Sequence, residues 1–260
     1  MLAPTAAASQ PAQPGPLVAP SASHPTAPAP AATVHRDGSG RVTVEAVRVG
    51  GQMVVDGLLS EEIYGSIPPI DGFIQQEPQE GLPAANRTEV WLLYDDQHIY
   101  VGARCWTADP ARIVANEMRR DAHSIFQNDN FGVFFDTFHD RRNGFFFYTN
   151  PLGALSDQLI SDERETNRDW NTVWEVRTSR FEGGWTVEMA IPFRSLRYPA
   201  PGPQTWGVQM RRVARGTNEF SYLTPMPAAF TQRAIVRVAQ AATLLGLEAP
   251  PAARNVELKP

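Results

Sequence analysis

The chain has 260 residues, a formal net charge of -5 and a single cysteine, Cys105. The acidic balance excludes the basic face that nucleic-acid binding requires, and one cysteine excludes an intrachain disulfide or a cysteine-built metal site. No apolar run reaches the length of a membrane helix, so no transmembrane segment is expected. From Met1 to about Val34 the sequence is almost wholly Ala, Pro, Ser, Thr and Gln, without an Asp, Glu, Lys or Arg before Arg36. Such a stretch cannot bury a core, so residues 1–35 read as a disordered leader or linker. It carries no basic segment followed by an apolar one, so no secretory signal is visible.

Beyond the leader, Arg41 to Val49 and Gln52 to Val55 read as strands, and Asp56-Gly57 as a turn. Leu58 to Tyr64 reads as a helical turn, and the Pro- and Gly-rich run from Ile67 to Pro83 as a long loop across a sheet edge or end. Thr88–Tyr94 and His98–Trp106 form the next pair of strands. In the second, Ile99, Val101, Ala103 and Cys105 share one face while Tyr100, Arg104 and Trp106 share the other. Asp109-Pro110 has the chemistry of a capped helical turn.

The stretch from Asn128 to Asp157 predicts two long strands joined at His139 to Gly144. Phe131, Val133 and Phe135 alternate with Phe134, and Phe145 and Phe147 with Phe146 and Tyr148. Both faces are therefore apolar, which places this hairpin in the middle of a sheet under cover on both sides. An acidic stretch from Ser161 to Asn171 follows, then strands at Val173–Ser179, Trp185–Ile191, Thr205–Ala214, Glu219–Leu223 and Ala234–Val238. Pro192–Leu196 reads as one helical turn. About ten short strands with frequent turns, and no helical periodicity over eleven residues, predict an all-β antiparallel sandwich, immunoglobulin-like in overall shape, over residues 36–240.

The placed strands carry a recognisable order of motifs: Val55-Asp-Gly-Leu-Leu-Ser-Glu-Glu62, Thr88-Glu-Val-Trp-Leu-Leu-Tyr-Asp-Asp96, Ile99-Tyr-Val-Gly102, Phe131 to Asp136, Asn150-Pro-Leu-Gly153, Gly184 to Phe193, Ser195-Leu-Arg197 and Trp206-Gly-Val208. Together, from about Val54 to Leu223, they resemble the family 9 carbohydrate-binding module. Tyr64 stands where many members of that family have Trp. The resemblance implies a jelly-roll sandwich that binds polysaccharide or oligosaccharide, has no catalytic residues, and assists carbohydrate catabolism or uptake. The tail, Leu245-Gly-Leu-Glu248 and Asn255 to Pro260, resembles the junction to an outer-membrane β-barrel region. That implies a linker over residues 241–260, a β-barrel partner, and a place in the periplasm, outer membrane or cell surface.

Trp170 and Trp174 stand in a polar, acidic stretch, and a spacing of four puts both on one side, so they are the first candidates for stacking on a sugar; Trp106 is the third. The competing reading is that all three are core residues. Asp129, Asp136 and Asp140 offer hard oxygen ligands for a structural calcium ion, which relatives of this module hold, against the reading that they are solvated carboxylates in turns. Met118, His123 and Met210 raise a haem-binding electron-transfer alternative. The remaining alternative is an interaction domain of a β-barrel protein without a sugar ligand.

Overall fold

A computed structural model describes Met1, residues 32–38 and residues 40–251. Along these run β1 (Val34–Arg36), β2 (Val42–Glu45), β3 (Val47–Arg48), the helix α1 (Glu62–Ser66), β4 (Ile74–Glu77), β5 (Thr88–Tyr94) and β6 (His98–Trp106). The next strands are β7 (Asn130–Asp136), β8 (Gly144–Thr149), β9 (Leu155–Ser161), β10 (Glu165–Asn167), β11 (Glu175–Phe181) and β12 (Gly184–Pro192). The set closes with β13 (Gly202–Pro203), β14 (Trp206–Ala214), β15 (Glu219–Tyr222), β16 (Ala242–Leu245) and β17 (Glu248–Ala249).

Ten strands form one sheet in the order β1-β2-β16-β14-β7-β8-β9-β10, with β15 paired to β14 and β4 to β15. Five form a second sheet, β11-β12-β6-β5-β3, and β13 pairs with β17 apart from both. The two large sheets face each other across the main core. From β7 and β8 come Phe131, Val133, Phe135, Phe145 and Phe147; from β6 and β12 come Val101, Ala103, Cys105, Trp185 and Val187. The all-β sandwich expected from the alternation is thus the fold, and the β7–β8 hairpin lies inside its larger sheet.

The second face of that hairpin is covered by a separate cluster. Phe134, Phe146 and Tyr148 pack beneath Ile125 of the short 3-10 helix His123–Gln127, Ala234, Ile235 and Val236 of the 3-10 helix Ala228–Val236, and Met226 and Val238 on either side of it. The outer face of the five-stranded sheet has a third cluster, in which Tyr64 of α1 lies on Trp91 and Tyr100.

Several boundaries differ from those read in the sequence. β4 lies within the run read as loop, because its prolines and glycines flank the four strand residues rather than interrupt them. Residues 241–260 are not a linker throughout: β16 is an interior strand held by β14 on one side and β2 on the other. Likewise β1 begins at Val34, inside the stretch read as leader. The rest of that reading, residues 2–31, lies outside the described residues, as do residues 252–260.

Candidate functional site

The outer face of the ten-stranded sheet has a floor of aromatic rings around a buried cation. Alternation along β14 sends Arg211 outward and Arg212 inward, and both are buried, Arg211 to 1% exposure. Reading across the sheet from β15 to β9, the row is Tyr222, Arg211, Gly132, Tyr148 and Ser156. Gly132 is required there: a Cβ would stand 2.7 Å from the Phe146 ring, which lies over it. Phe146 in turn stacks on Tyr148, with centroids 5.0 Å apart and planes at 17°.

The Arg211 guanidinium sits 5.2 Å from the Phe126 ring and 5.2 Å from the Phe146 ring. It donates to Asn130 Oδ1 at 3.1 Å, its Nε has no partner, and no carboxylate lies within ion-pair distance among the described residues. Burial lowers the Arg211 pKa from its ordinary value and pushes the Tyr222 phenol up to about 12. Burial also raises Tyr148, whose hydroxyl accepts from Gln158 Nε2 at 3.2 Å.

Phe126 forms the half-buried rim, 4.7 Å from Tyr148 and 5.7 Å from Arg168, which approaches His123 Nδ1 at 2.9 Å. Arg211, Phe146, Tyr148 and Tyr222 are buried with Ile125, Met226 and Ala234 in one cluster, so the part of this face open to a ligand is its rim, the half-buried Phe126 ring with the exposed Arg168 beside it. No carboxylate stands among the floor residues to serve as a general acid.

The tryptophans expected to form a platform lie elsewhere. Trp174 is a core residue, 6% exposed, with its ring 5.3 Å from Phe147 and its indole N–H donated to Asp157 Oδ1 at 3.1 Å. That contact corrects the platform reading for Trp174: the polar neighbours that argued for exposure turn outward while the ring turns in. Trp170 does come together with it on Phe147, and it also lies 5.1 Å from Phe145. It is half-buried and caps the edge of the main core. Trp106 is half-buried on the outer face of the other sheet.

The three carboxylates expected to hold calcium are not one ligand set. Asp129 and Asp136 stand at opposite ends of β7, on the order of 20 Å apart along the strand. Asp129 forms a buried ion pair with Arg212 at 3.1 Å and accepts from the backbone of Val114 and Arg215. Asp136 accepts from the amides of Asp140 and Arg141, and Asp140 from those of Arg142 and Asn143, so these two close the hairpin turn. Among the described residues no cluster of three His, Cys, Asp or Glu could hold a metal. The haem reading lacks convergence too: Met118 is exposed in a loop and Met210 is buried in the main core.

Arg211, Phe126 and Tyr148 were not singled out in the sequence. One signal was available: two adjacent arginines inside a strand whose other residues are mostly apolar.

Comparison with known proteins agrees with this architecture. No curated protein matches the chain. A carbohydrate binding module family 9 from Caldicellulosiruptor kristjanssonii, solved in complex with cellotriose, is similar at TM-score 0.50 and 16% identity over 83% of this chain and 97% of that one. The same organism's module in complex with glucose gives 0.53 and 16% over 83% and 99%. A candidate carbohydrate-binding protein from Bacteroides uniformis gives 0.56 and 11% over 78% and 98%. These identities speak for the fold alone. The profile described as carbohydrate family 9 binding domain-like matches residues 55–218, more than half the length and spanning the motif order and both sheets; the chain belongs to that family.

Proposed function

We propose that this chain binds carbohydrate, without acting on it chemically, on the outer face of its ten-stranded sheet. The observation that carries the reading is the open rim of that face, where the half-buried Phe126 ring lies 5.7 Å from the exposed Arg168 guanidinium. The Phe126 ring suits the C–H face of a sugar, and the Arg168 guanidinium can donate to its hydroxyls. Family membership supports the same ligand class, and the two modules from Caldicellulosiruptor kristjanssonii were solved with cellotriose and glucose.

A place in an exported or outer-membrane assembly, beside a β-barrel, belongs to the same proposal and is supported by the sequence resemblance. Among the described residues no helix is long and apolar enough to cross a membrane.

Calorimetric titration with cellotriose tests the seat. Phe126→Ala removes the rim ring and Arg168→Ala an exposed cation beside it; each is expected to weaken binding by about tenfold, the factor carried by 1.4 kcal/mol. Unchanged affinity in both variants, with folding confirmed by thermal unfolding, would overturn this placement.

A further inference from the structure

The sheet on the opposite side of the molecule has an aromatic and polar face that the proposed seat does not use. Between α1 and this face runs a groove of about 550 Å³ whose lining includes Ser60, Glu61, Tyr64, Ser66 and Arg104. Its floor is set by Gly102: a Cβ there would stand 2.6 Å from the Tyr64 ring, so the glycine lets Tyr64 lie flat on β6. At one end Arg104 sits 5.4 Å from the Trp91 ring and 5.9 Å from the Trp106 ring. Glu89 joins them, accepting the Trp106 indole N–H at 2.8 Å and meeting Arg104 at 3.5 Å.

Trp106 is half-buried: it rests against Gly183, where a Cβ would come within 2.7 Å of the ring, and Phe181 meets it edge-on at 4.9 Å. Within the groove the Glu61 carboxylate accepts from the Val54 amide through one oxygen, at 3.1 Å, while the other is buried without a partner.

We propose that this groove is a second saccharide site, specific for neutral sugars. The Arg104 guanidinium donates to ring or hydroxyl oxygens, the exposed Glu62 and Ser66 side chains accept from hydroxyls, and the half-buried Trp106 ring beside Arg104 extends the apolar surface at that end. Carboxylates at Glu61, Glu62 and Glu89 disfavour an anionic ligand, and Arg104 at the other end disfavours a cationic one. The site lies on the far side of the main core from Arg211, so the molecule would hold two sugar chains at once and bind a multivalent glycan more tightly than either site alone.

Calorimetry with cellotriose, with nuclear magnetic resonance of the Trp106 indole N–H, tests it in the full chain. Nothing stands within 4 Å of a Cβ built at Gly65, so Gly65→Phe fills the groove without displacing core groups. The expected result is a stoichiometry of two for the unaltered chain and one for Gly65→Phe, with the Trp106 signal shifting only in the former. Glu62→Gln should weaken the groove site by about tenfold. A stoichiometry of one that Gly65→Phe leaves intact and Phe126→Ala abolishes would overturn the second site alone. A single site lost in Gly65→Phe and kept in Phe126→Ala would overturn the Phe126 seat instead. No binding to the unaltered chain would overturn both.

Discussion

Glu188 joins two separate motifs. Its Oε2 accepts from the amides of Asp56 and Gly57, at 2.9 and 2.6 Å, and its Oε1 from the Tyr64 hydroxyl at 2.9 Å. Gly57 must be glycine, with φ at +87° and the Thr178 backbone 2.9 Å from where a Cβ would be. The Asp-Gly turn and the Trp-Thr-Val-Glu strand are therefore two halves of one contact. Burial raises the Glu188 pKa above the ordinary glutamate range, against the hydrogen bonds that lower it. The folded chain thus holds this proton more tightly than the unfolded chain. The stabilisation is full below the unfolded value and is lost as pH rises through the raised one. Thermal unfolding followed from about pH 4 to about pH 7 should show this decline, and Glu188→Gln should flatten it. Glu188→Ala, which leaves three donors without their acceptor, should cost about 1–3 kcal/mol.

At the scale of elements, the strands were legible where a two-residue period was unbroken. Ile99 to Cys105 and Phe131 to Tyr148 showed which side chains share a face, and the apolar groups on both faces of the hairpin placed it inside a sheet. β16 was missed because four residues before a proline-rich tail resemble a linker; its strand character comes from partners some two hundred positions earlier. The segment around Trp170 and Trp174 misled for a related reason. Composition reports the average polarity of a stretch, whereas irregular backbone can send one ring inward from among exposed neighbours. Trp174→Ala should cost about 3–5 kcal/mol, in the range for a buried aromatic, and Trp170→Ala less, because its ring is half-buried. Equal unfolding midpoints for Trp174→Ala and the unaltered chain, measured in urea, would contradict the core assignment.

For the molecule as a whole, fold class was readable and the candidate site largely was not. Period-two patterning decides that sheets form and which faces are apolar. It does not say which distant strands adjoin, and that adjacency is what gathers Arg211, Tyr148, Tyr222 and Phe126 into one face. Asp129 and Asp136, close in sequence, are held apart by the extended strand between them. Arg104 and Trp106, two apart on β6, were correctly placed on one face, yet the groove beside them depends on α1 folding over Gly102.

The parallel pairing of β2 with β16 has a consequence for how the chain is made. Thr43, Val44 and Glu45 register with Thr243, Leu244 and Leu245, and the Ala46 amide donates to the Leu245 carbonyl at 2.9 Å. On its inner side, therefore, β2 has no neighbour until β16, some two hundred positions further along the chain, has joined the sheet. Contacts so far apart in sequence form late and slow folding. Until then Val42 and Val44, fully buried in the finished sheet, stand at an open sheet edge where other chains can pair with them. A chain ending at Gln240 would keep that edge permanently, and on a sizing column it is expected to self-associate where the chain that includes β16 does not.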